Sequence, residues 1–161
     1  MAVVTIDYGE VGSFSYFDET PIYNDGMQSG YSGVFNKSSS GSSQDTGNKL
    51  VVDIPNSARH YAWAGIQVDM TNIDAVLFNC PTITHGSLNN AMVSFVSPNM
   101  PNSAANPSGV ININTDTQGV YCLNTRAVTG NQYVGIGVWS GDAAGARHIE
   151  CDKIILVKAS T

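Results

Sequence analysis

Apolar residues recur at every second position in most segments of the chain, and this period is typical of β-strands. The segment "KLVVDI" predicts a buried face of Leu50, Val52 and Ile54, and "HIECDKIILVKA" predicts one that includes Ile155 and Val157. No segment indicates a helix longer than about two turns. Short strands separated by Gly, Pro, Asn and Ser predict an all-β fold, either an antiparallel β-sandwich or a jelly roll.

The chain has the length of one domain, because 161 residues can bury roughly 70% of the surface of the unfolded chain. Residues 31–161 carry most of the alternating segments and are predicted to form the sandwich. Residues 1–30 hold two shorter alternating runs, "AVVTIDY" and "GSFSYF". These runs predict either a first strand or an N-terminal extension, an arm that docks on a neighbouring subunit.

Two segments between the predicted strands differ from the rest in composition. The segment "NKSSSGSSQDTGN", residues 36–48, is polar and of low complexity. It has little apolar surface to bury, so it is predicted not to order itself. The segment "SPNMPNSAANPSG", residues 97–109, carries three prolines and predicts an ordered but irregular excursion.

The segment "GNQYVGIGVW" raises the question of what covers its glycines. In a strand, its two valines and its isoleucine point to one face, while two rings and two glycines point to the other. The rings belong to Tyr133 and Trp139, and "YAWAGIQV" repeats the arrangement with Tyr61 and Trp63. Glycine inside a strand often marks a place where another group comes close to the backbone.

The four rings support two interpretations. Rings stack on the apolar faces of sugars, and the polar tips of Tyr and Trp pair with hydroxyls. The predicted carbohydrate platform consists of Tyr61, Trp63, Tyr133 and Trp139, with Asn131 and Gln132 as hydrogen-bonding neighbours. On this interpretation, removal of Trp139 weakens glycan binding and barely changes stability. In the alternative, which we expect, a second sheet, a long loop or another subunit covers the rings and fills the space above the glycines.

Charge and cysteine content narrow the range of partners. Charged residues make up 12% of the chain, and seven Lys and Arg against thirteen Asp and Glu leave no basic patch for a nucleic acid. No signal peptide is expected, because the start lacks a basic segment followed by a long apolar one. The apolar runs are too short to cross a membrane. Cys80, Cys122 and Cys151 fit neither a zinc pattern nor a complete disulfide framework, so free, mostly buried thiols are expected.

The chain carries no recognisable catalytic motif. His60, His85 and His148 lie in separate segments and are expected to be surface or turn residues, with a metal site of dispersed His and Asp as the alternative. The zinc-protease, phosphate-loop and nucleophile-elbow motifs are absent. The acidic residues of the first thirty positions predict a solvated arm rather than a calcium site. No catalytic residue, metal or cofactor is expected, and a hydrolase ranks last among the function classes.

Two stretches of the chain resemble known protein classes. Residues 68–80, "VDMTNIDAVLFNC", are typical of a strand, a short turn and a second strand. Residues 123–156, "LNTRAVTGNQYVGIGVWSGDAAGARHIECDKIIL", are typical of a polar turn, an aromatic-rich strand, a Gly/Ala loop and a closing strand. Both stretches resemble the jelly-roll sandwiches of carbohydrate-binding modules and small structural proteins of tailed bacteriophages. The opening "MAVVTIDYG" is similar to the starts of phage virion proteins.

The resemblance implies a non-enzymatic bacteriophage virion structural protein, of the capsid-decoration or tail-accessory type. Such a protein is made in the cytoplasm of the bacterial host and displayed on the particle. The partners implied are other virion proteins of the capsid or tail, and further copies of the chain in a homo-oligomer. The alternative function is a carbohydrate-binding module that recognises a bacterial surface glycan, and the two functions can coexist. Neither involves a nucleic acid or a membrane.

Overall fold

A computed structural model describes the backbone of residues 4–7, 13–85, 92–105, 111–114 and 118–159, and the side chains of residues 18–85, 94–105 and 118–158. The strands are β1 (Val4–Asp7), β2 (Ser13–Asn24), β3 (Gly33–Lys37), β4 (Ser42–Asp45), β5 (Leu50–Ile54), β6 (Tyr61–Asp69), β7 (Ala75–Cys80), β8 (Thr82–His85), β9 (Met92–Ser97), β10 (Ile111–Asn114), β11 (Gly119–Asn124), β12 (Asn131–Trp139), β13 (Arg147–Cys151) and β14 (Lys153–Ala159). The described residues include no helix, and hence none that is long and apolar enough to span a membrane.

The strands form three antiparallel sheets. Sheet A has the order β1-β2-β14-β7-β11, sheet B the order β10-β9-β12-β6-β3, and sheet C the order β4-β5-β13-β8. Sheets A and C form one continuous layer, because only Pro81 separates β7 from β8 and only Asp152 separates β13 from β14. Sheet B packs on this layer. The all-β antiparallel sandwich predicted from the period of two is therefore confirmed.

The core lies between sheet B and the continuous layer of sheets A and C. Sheet B contributes Ala62, Ala64, Ile66, Val68, Val96, Val134, Ile136 and Val138. The facing layer contributes Leu50, Val52, Ile54, Val76, Phe78, Cys80, Ile83, Ile149, Cys151, Ile154 and Leu156. The strands named here supply alternate residues, as a two-faced strand must, and the predicted buried face of β5 is confirmed.

The continuous layer has a corner where sheets A and C meet, and the inward positions shift there by one residue. Along β13 the buried core positions end at Cys151, and along β14 they resume at Ile154, three residues later rather than two. The same offset separates Cys80 on β7 from Ile83 on β8. The prediction that Ile155 shares the core face with Ile149 was therefore wrong, because the extra residue at the corner exchanges the two faces of β14.

The first thirty residues contribute two strands to sheet A. Strand β2 pairs with β14 from Asn24 opposite Lys153 to Tyr16 opposite Ala159. Ile22 and Tyr23 on β2 are fully buried. The described part of this segment thus belongs to the sandwich, and its docking on a neighbouring subunit stays a prediction.

The polar tract at residues 36–48 is ordered, which corrects the prediction made from its composition. It contains β4, which pairs with β5 from Ser42 opposite Asp53 to Asp45 opposite Leu50. The hydroxyl of Ser43 also donates a hydrogen bond to the carbonyl oxygen of Trp63 at 2.5 Å. Backbone pairing and hydroxyl donors satisfy the tract's polar groups without a large apolar contribution.

Candidate functional site

The four rings of the predicted platform lie together on the outer face of sheet B. Strands β6 and β12 pair with Tyr61 opposite Trp139 and with Gln67 opposite Tyr133. These positions alternate with the core positions of both strands, so their side chains point away from the core. Trp63 lies on the same face, between the two pairs.

Trp63 is the centre of a second hydrophobic cluster. Its ring centroid lies 5.7 Å from that of Trp139 with 21° between the ring planes, which is a stacked arrangement. It lies 5.9 Å from the centroid of Phe95 at 88°, which is an edge-to-face arrangement. We call this group the aromatic cluster; it consists of Trp63, Phe95 and Trp139, with Tyr61, Met100 and Tyr133 half-buried around them. Each ring pair contributes about 0.5–1.5 kcal/mol beyond the burial of its area.

The glycines between the rings make room for the cluster. A Cβ atom on Gly137 would lie 1.8 Å from Cε3 of Trp63, so the indole ring rests directly on the strand. A Cβ atom on Gly65 would lie 2.6 Å from Sδ of Met100, and one on Gly135 would collide with the backbone of the neighbouring strand. Protein atoms therefore fill the space above these glycines.

The segment that follows β9 covers part of the aromatic cluster. Nε1 of Trp63 donates a hydrogen bond to the carbonyl oxygen of Ser103 at 3.2 Å, and Nδ2 of Asn36 donates one to that of Pro101 at 2.6 Å. The predicted ordered excursion is confirmed for residues 97–105, and its last four residues lie outside the described part of the chain. Of the two interpretations of the rings, cover by a long loop is the one that these contacts match.

The rings differ in how much surface they offer to a ligand. Trp63 has no exposed surface, and Trp139 is 6% exposed. Tyr61 and Tyr133 are half-buried at the border of the cluster. A sugar that approached this face would therefore meet the two tyrosines rather than the two tryptophans, and sugar binding itself stays a prediction.

The two polar members of the predicted platform point to opposite faces of β12. Asn131 is exposed and shares the outer face with Tyr133, two residues further along the strand. Gln132 lies on the same face of β12 as the core residue Val134, and its Nε2 donates a hydrogen bond to the carbonyl oxygen of Thr129 at 3.1 Å. The structure thus brings only Asn131 to the face that carries the rings.

A strip of ionisable side chains lies on the outer face of sheet C. Nδ1 of His148 is 3.0 Å from Oδ1 of Asp53, and its Nε2 is 3.6 Å from Oε1 of Glu150. Nζ of Lys49 is 3.3 Å from Oε2 of Glu150. The order along the strip is Lys49, Glu150, His148 and Asp53, so basic and acidic groups alternate.

An open groove of about 390 Å³ lies at one end of this strip. Its lining residues are Asp53, Thr84, His85, Ala146, Arg147 and His148. His85 and His148 thus border one groove from neighbouring strands, at partly exposed positions that agree with the expectation of surface histidines. No residue spacing could reveal this, because His148 and its partner Asp53 are 95 positions apart. The described residues contain no group of three side chains suited to holding a metal ion.

Glu150 is the member of the strip whose titration is perturbed. The hydrogen bond from Thr82 and the hydrogen bond and charge of Lys49 hold the pKa of Glu150 below its usual value of 4.5, against an opposing effect of partial burial. The carboxylate therefore stays ionised at neutral pH.

His60, on the far side of the polar tract, contacts two serines. The hydroxyls of Ser38 and Ser40 lie 2.7 and 2.8 Å from its Nδ1. Among the described residues no carboxylate contacts the ring, so the group that orients the histidine in a Ser-His-Asp arrangement is missing. These contacts anchor the polar tract to the start of β6.

Arg147 is a charged residue that the sandwich buries. It is 3% exposed, and Nη1 donates a hydrogen bond to the carbonyl oxygen of Trp139, while Nε has no partner within the described residues. Burial lowers the pKa of the guanidinium. Arg147 alternates along β13 in step with Ile149 and Cys151, so its side chain lies on the core side of the strand. Its hydrogen bond joins β13 to the end of β12.

The chain was compared with protein-family models, with curated proteins and with solved structures. None of them matches.

Proposed function

We propose that the protein is a non-enzymatic structural protein of a bacteriophage virion, a capsid-decoration or tail-accessory subunit that is displayed on the particle. The support comes from the outer face of sheet A, which has the character of a contact surface. The outer faces of the other two sheets differ, since a loop covers part of sheet B and ionisable groups line sheet C.

An apolar row crosses four strands on the outer face of sheet A. Pro21, Ile155, Leu77 and Cys122 lie opposite one another on β2, β14, β7 and β11. Val120, next to this row, is 65% exposed. A shallow depression of about 240 Å³ lies between Val120, Leu77 and Ile155.

The surroundings of this row favour docking of a neighbouring subunit. The row is half-buried apart from the buried Cys122, Val120 beside it is exposed, and Lys153 and Asn79 form a polar border. An apolar patch with a polar border is typical of interaction sites. Among the described strands, β11 is the last of sheet A, and it carries neither a charged residue nor proline, the features that usually block pairing at a sheet edge. Contact with another virion subunit would cover both the patch and the edge.

Sedimentation and particle composition test this proposal. We expect the purified protein to form oligomers whose population rises with concentration, and we expect many copies in purified virions. Val120→Glu should shift the equilibrium to monomer, because it places a charge at the exposed position of the edge strand. Gln67→Glu adds the same charge at an exposed position of sheet B and should leave the equilibrium unchanged. A protein that stays monomeric and is absent from purified virions contradicts the proposal.

The second candidate function is the carbohydrate-binding module. The partial exposure of Tyr61 and Tyr133 at the border of the aromatic cluster favours it. A glycan array should then give a hit that Tyr133→Ala weakens and that Lys158→Gln, at an exposed position of sheet A, leaves intact. The absence of any hit on bacterial surface glycans, with the protein folded, removes this function.

A further inference from the structure

Two of the three cysteines lie side by side at the corner between sheets A and C. Cys80 ends β7 and Cys151 ends β13, and both are fully buried members of the main core. Cys80 is close enough to Cys151 to raise the pKa of its thiol, in addition to the effect of burial.

The strand register explains why the two cysteines meet. Thr82 lies opposite Glu150 on one side of the corner, and Asn79 lies opposite Lys153 on the other. Cys80 is the residue after Asn79, and Cys151 is the residue after Glu150. Counted from these two pairs towards the corner, Cys80 and Cys151 are therefore diagonal neighbours in the ladder. A diagonal step at ordinary strand spacing and rise is about 6 Å between Cα atoms, within the usual range of about 4.4–6.8 Å for disulfides. On a regular ladder the two side chains would point to opposite faces, but the shift of the inward positions at the corner turns both of them into the core.

The third cysteine is excluded from such a bond by its position. Cys122 lies opposite Leu77 on the outer face of sheet A, while Cys80, three residues beyond Leu77, points into the core. Burial raises the pKa of the Cys122 thiol to about 12 and raises that of Cys151 as well, so position and not reactivity excludes Cys122 from the bond.

We propose that Cys80 and Cys151 form an intramolecular disulfide when the protein meets a small-molecule disulfide, and that Cys122 stays a free thiol. This inference goes beyond the proposed function and does not depend on it. It also accounts for the odd number of cysteines, because one pair and one free thiol use all three.

The reaction is thiol–disulfide exchange. The thiolate of one cysteine attacks oxidised glutathione, forms a mixed disulfide and releases one molecule of reduced glutathione. The thiolate of the second cysteine then attacks the mixed disulfide and releases the second molecule. The protein loses two protons and two electrons, and oxidised glutathione becomes two thiols.

Burial controls when this exchange can take place. Desolvation and the neighbouring Cys80 raise the pKa of the Cys151 thiol, so the reactive thiolate is scarce while the corner is closed. We therefore expect the bond to form during folding or when the corner opens. Once formed, it joins β7 to β13 and closes a loop of about 70 residues, which limits the freedom of the unfolded chain.

Refolding of the full chain under two redox conditions tests the proposal. Refolding with oxidised and reduced glutathione should lower the intact mass by two hydrogen atoms relative to refolding with dithiothreitol. Peptide mapping should find Cys80 linked to Cys151, and the melting temperature should rise by about 10 °C. Cys122→Ser is the matched control and should show the same bond and the same shift, whereas Cys151→Ser should show neither.

Three results would overturn the proposal, and each can be measured with the wild-type protein. The first is an unchanged mass after oxidative refolding. The second is a disulfide that includes Cys122. The third is thiol–disulfide exchange with oxidised glutathione that is as fast in the folded protein as in the protein unfolded by urea. Because both thiols are buried in the fold, the folded protein should react more slowly.

Discussion

Substitution of Gly137 by alanine tests whether the aromatic cluster rests on a bare stretch of backbone. A Cβ atom at this position would lie 1.8 Å from Cε3 and 2.2 Å from Cζ3 of Trp63. An ordinary contact needs at least 3.4 Å, so the indole ring would have to move by about 1.6 Å. Trp63 is fully buried, so its ring could move only by displacing Trp139 or Phe95.

The magnitude follows from three contributions. Overpacking of a well-filled site costs about 1–3 kcal/mol. Displacement of the ring also weakens two aromatic pairs, each of which contributes about 0.5–1.5 kcal/mol. The lower entropy of alanine in the unfolded chain offsets about 0.4–1 kcal/mol of this. We expect Gly137→Ala to lower the free energy of unfolding by about 3 kcal/mol, which corresponds to a fall in melting temperature of roughly 10 °C.

Urea unfolding followed by far-UV circular dichroism measures the change, and near-UV circular dichroism reports the tryptophan pair. Gly141→Ala is the matched control, because a Cβ atom there would meet nothing within 4 Å and the backbone is not left-handed. The control should change stability by less than about 1 kcal/mol. If Gly137→Ala and Gly141→Ala unfold at the same urea concentration, the ring of Trp63 does not lie on Gly137 and the explanation of the glycines is wrong.

Three further predictions concern single side chains. Trp139→Ala should cost about 3–5 kcal/mol in urea unfolding, because the ring is 6% exposed and stacked; a loss below about 1 kcal/mol would place it on an open surface. Tyr23→Phe removes a 2.6 Å hydrogen bond to Asp45 and should cost about 1 kcal/mol at pH 7. Burial, and then Asp45, raise the pKa of Tyr23, so the wild type should lose stability above pH 10, where the unfolded tyrosine ionises, while Tyr23→Phe should not; parallel losses would contradict this. Because Thr82 holds the pKa of Glu150 below 4.5, that carboxylate stabilises the fold above pH 4.5, and the stability deficit of Glu150→Gln at pH 7 should shrink as the pH falls below 4.5; a deficit that does not change with pH would contradict this.

The sequence predicted the fold class because most strands bury only one face. In β5, Leu50, Val52 and Ile54 all enter the core, while Asp53 points to the outer face. The polar tract before β5 is ordered, although its composition predicts the opposite, and the reason is physical. Its strand β4 is ordered by backbone pairing with β5, and backbone pairing leaves no trace in an apolar pattern.

The grouping of the rings was predictable, but their accessibility was not. Alternation within β6 and β12 places Tyr61 and Tyr133 on the same outer face as the two tryptophans. Which rings stay accessible depends on a segment about 40 residues away from Trp63 in sequence, whose carbonyl at Ser103 receives the indole hydrogen bond. The strip on sheet C depended on strand pairing at still longer range, between Asp53 and His148. Single-sequence patterns carry no information on such pairings.

The inward face of β14 is the point at which the pattern failed, and adjacent substitutions test the correction. Residues 154–157 are all apolar, so either face could serve as the core face, and the extra residue at the corner decides between them. Leu156 is 4% exposed in the core, whereas Ile155 is half-buried on the outer face of sheet A. Leu156→Lys should therefore cost about 3–5 kcal/mol or prevent folding, because it buries a charge without a partner.

Ile155→Lys should cost much less, about 1 kcal/mol, because its long side chain can extend along the sheet and keep its ammonium group in water. Urea unfolding of the two variants under the same conditions gives the comparison, and both place the same side chain on the same strand. If Ile155→Lys proves the more damaging of the two, the faces of β14 are those that simple alternation predicts. The corner would then not shift the inward positions, and the register that brings Cys80 beside Cys151 would fail with it.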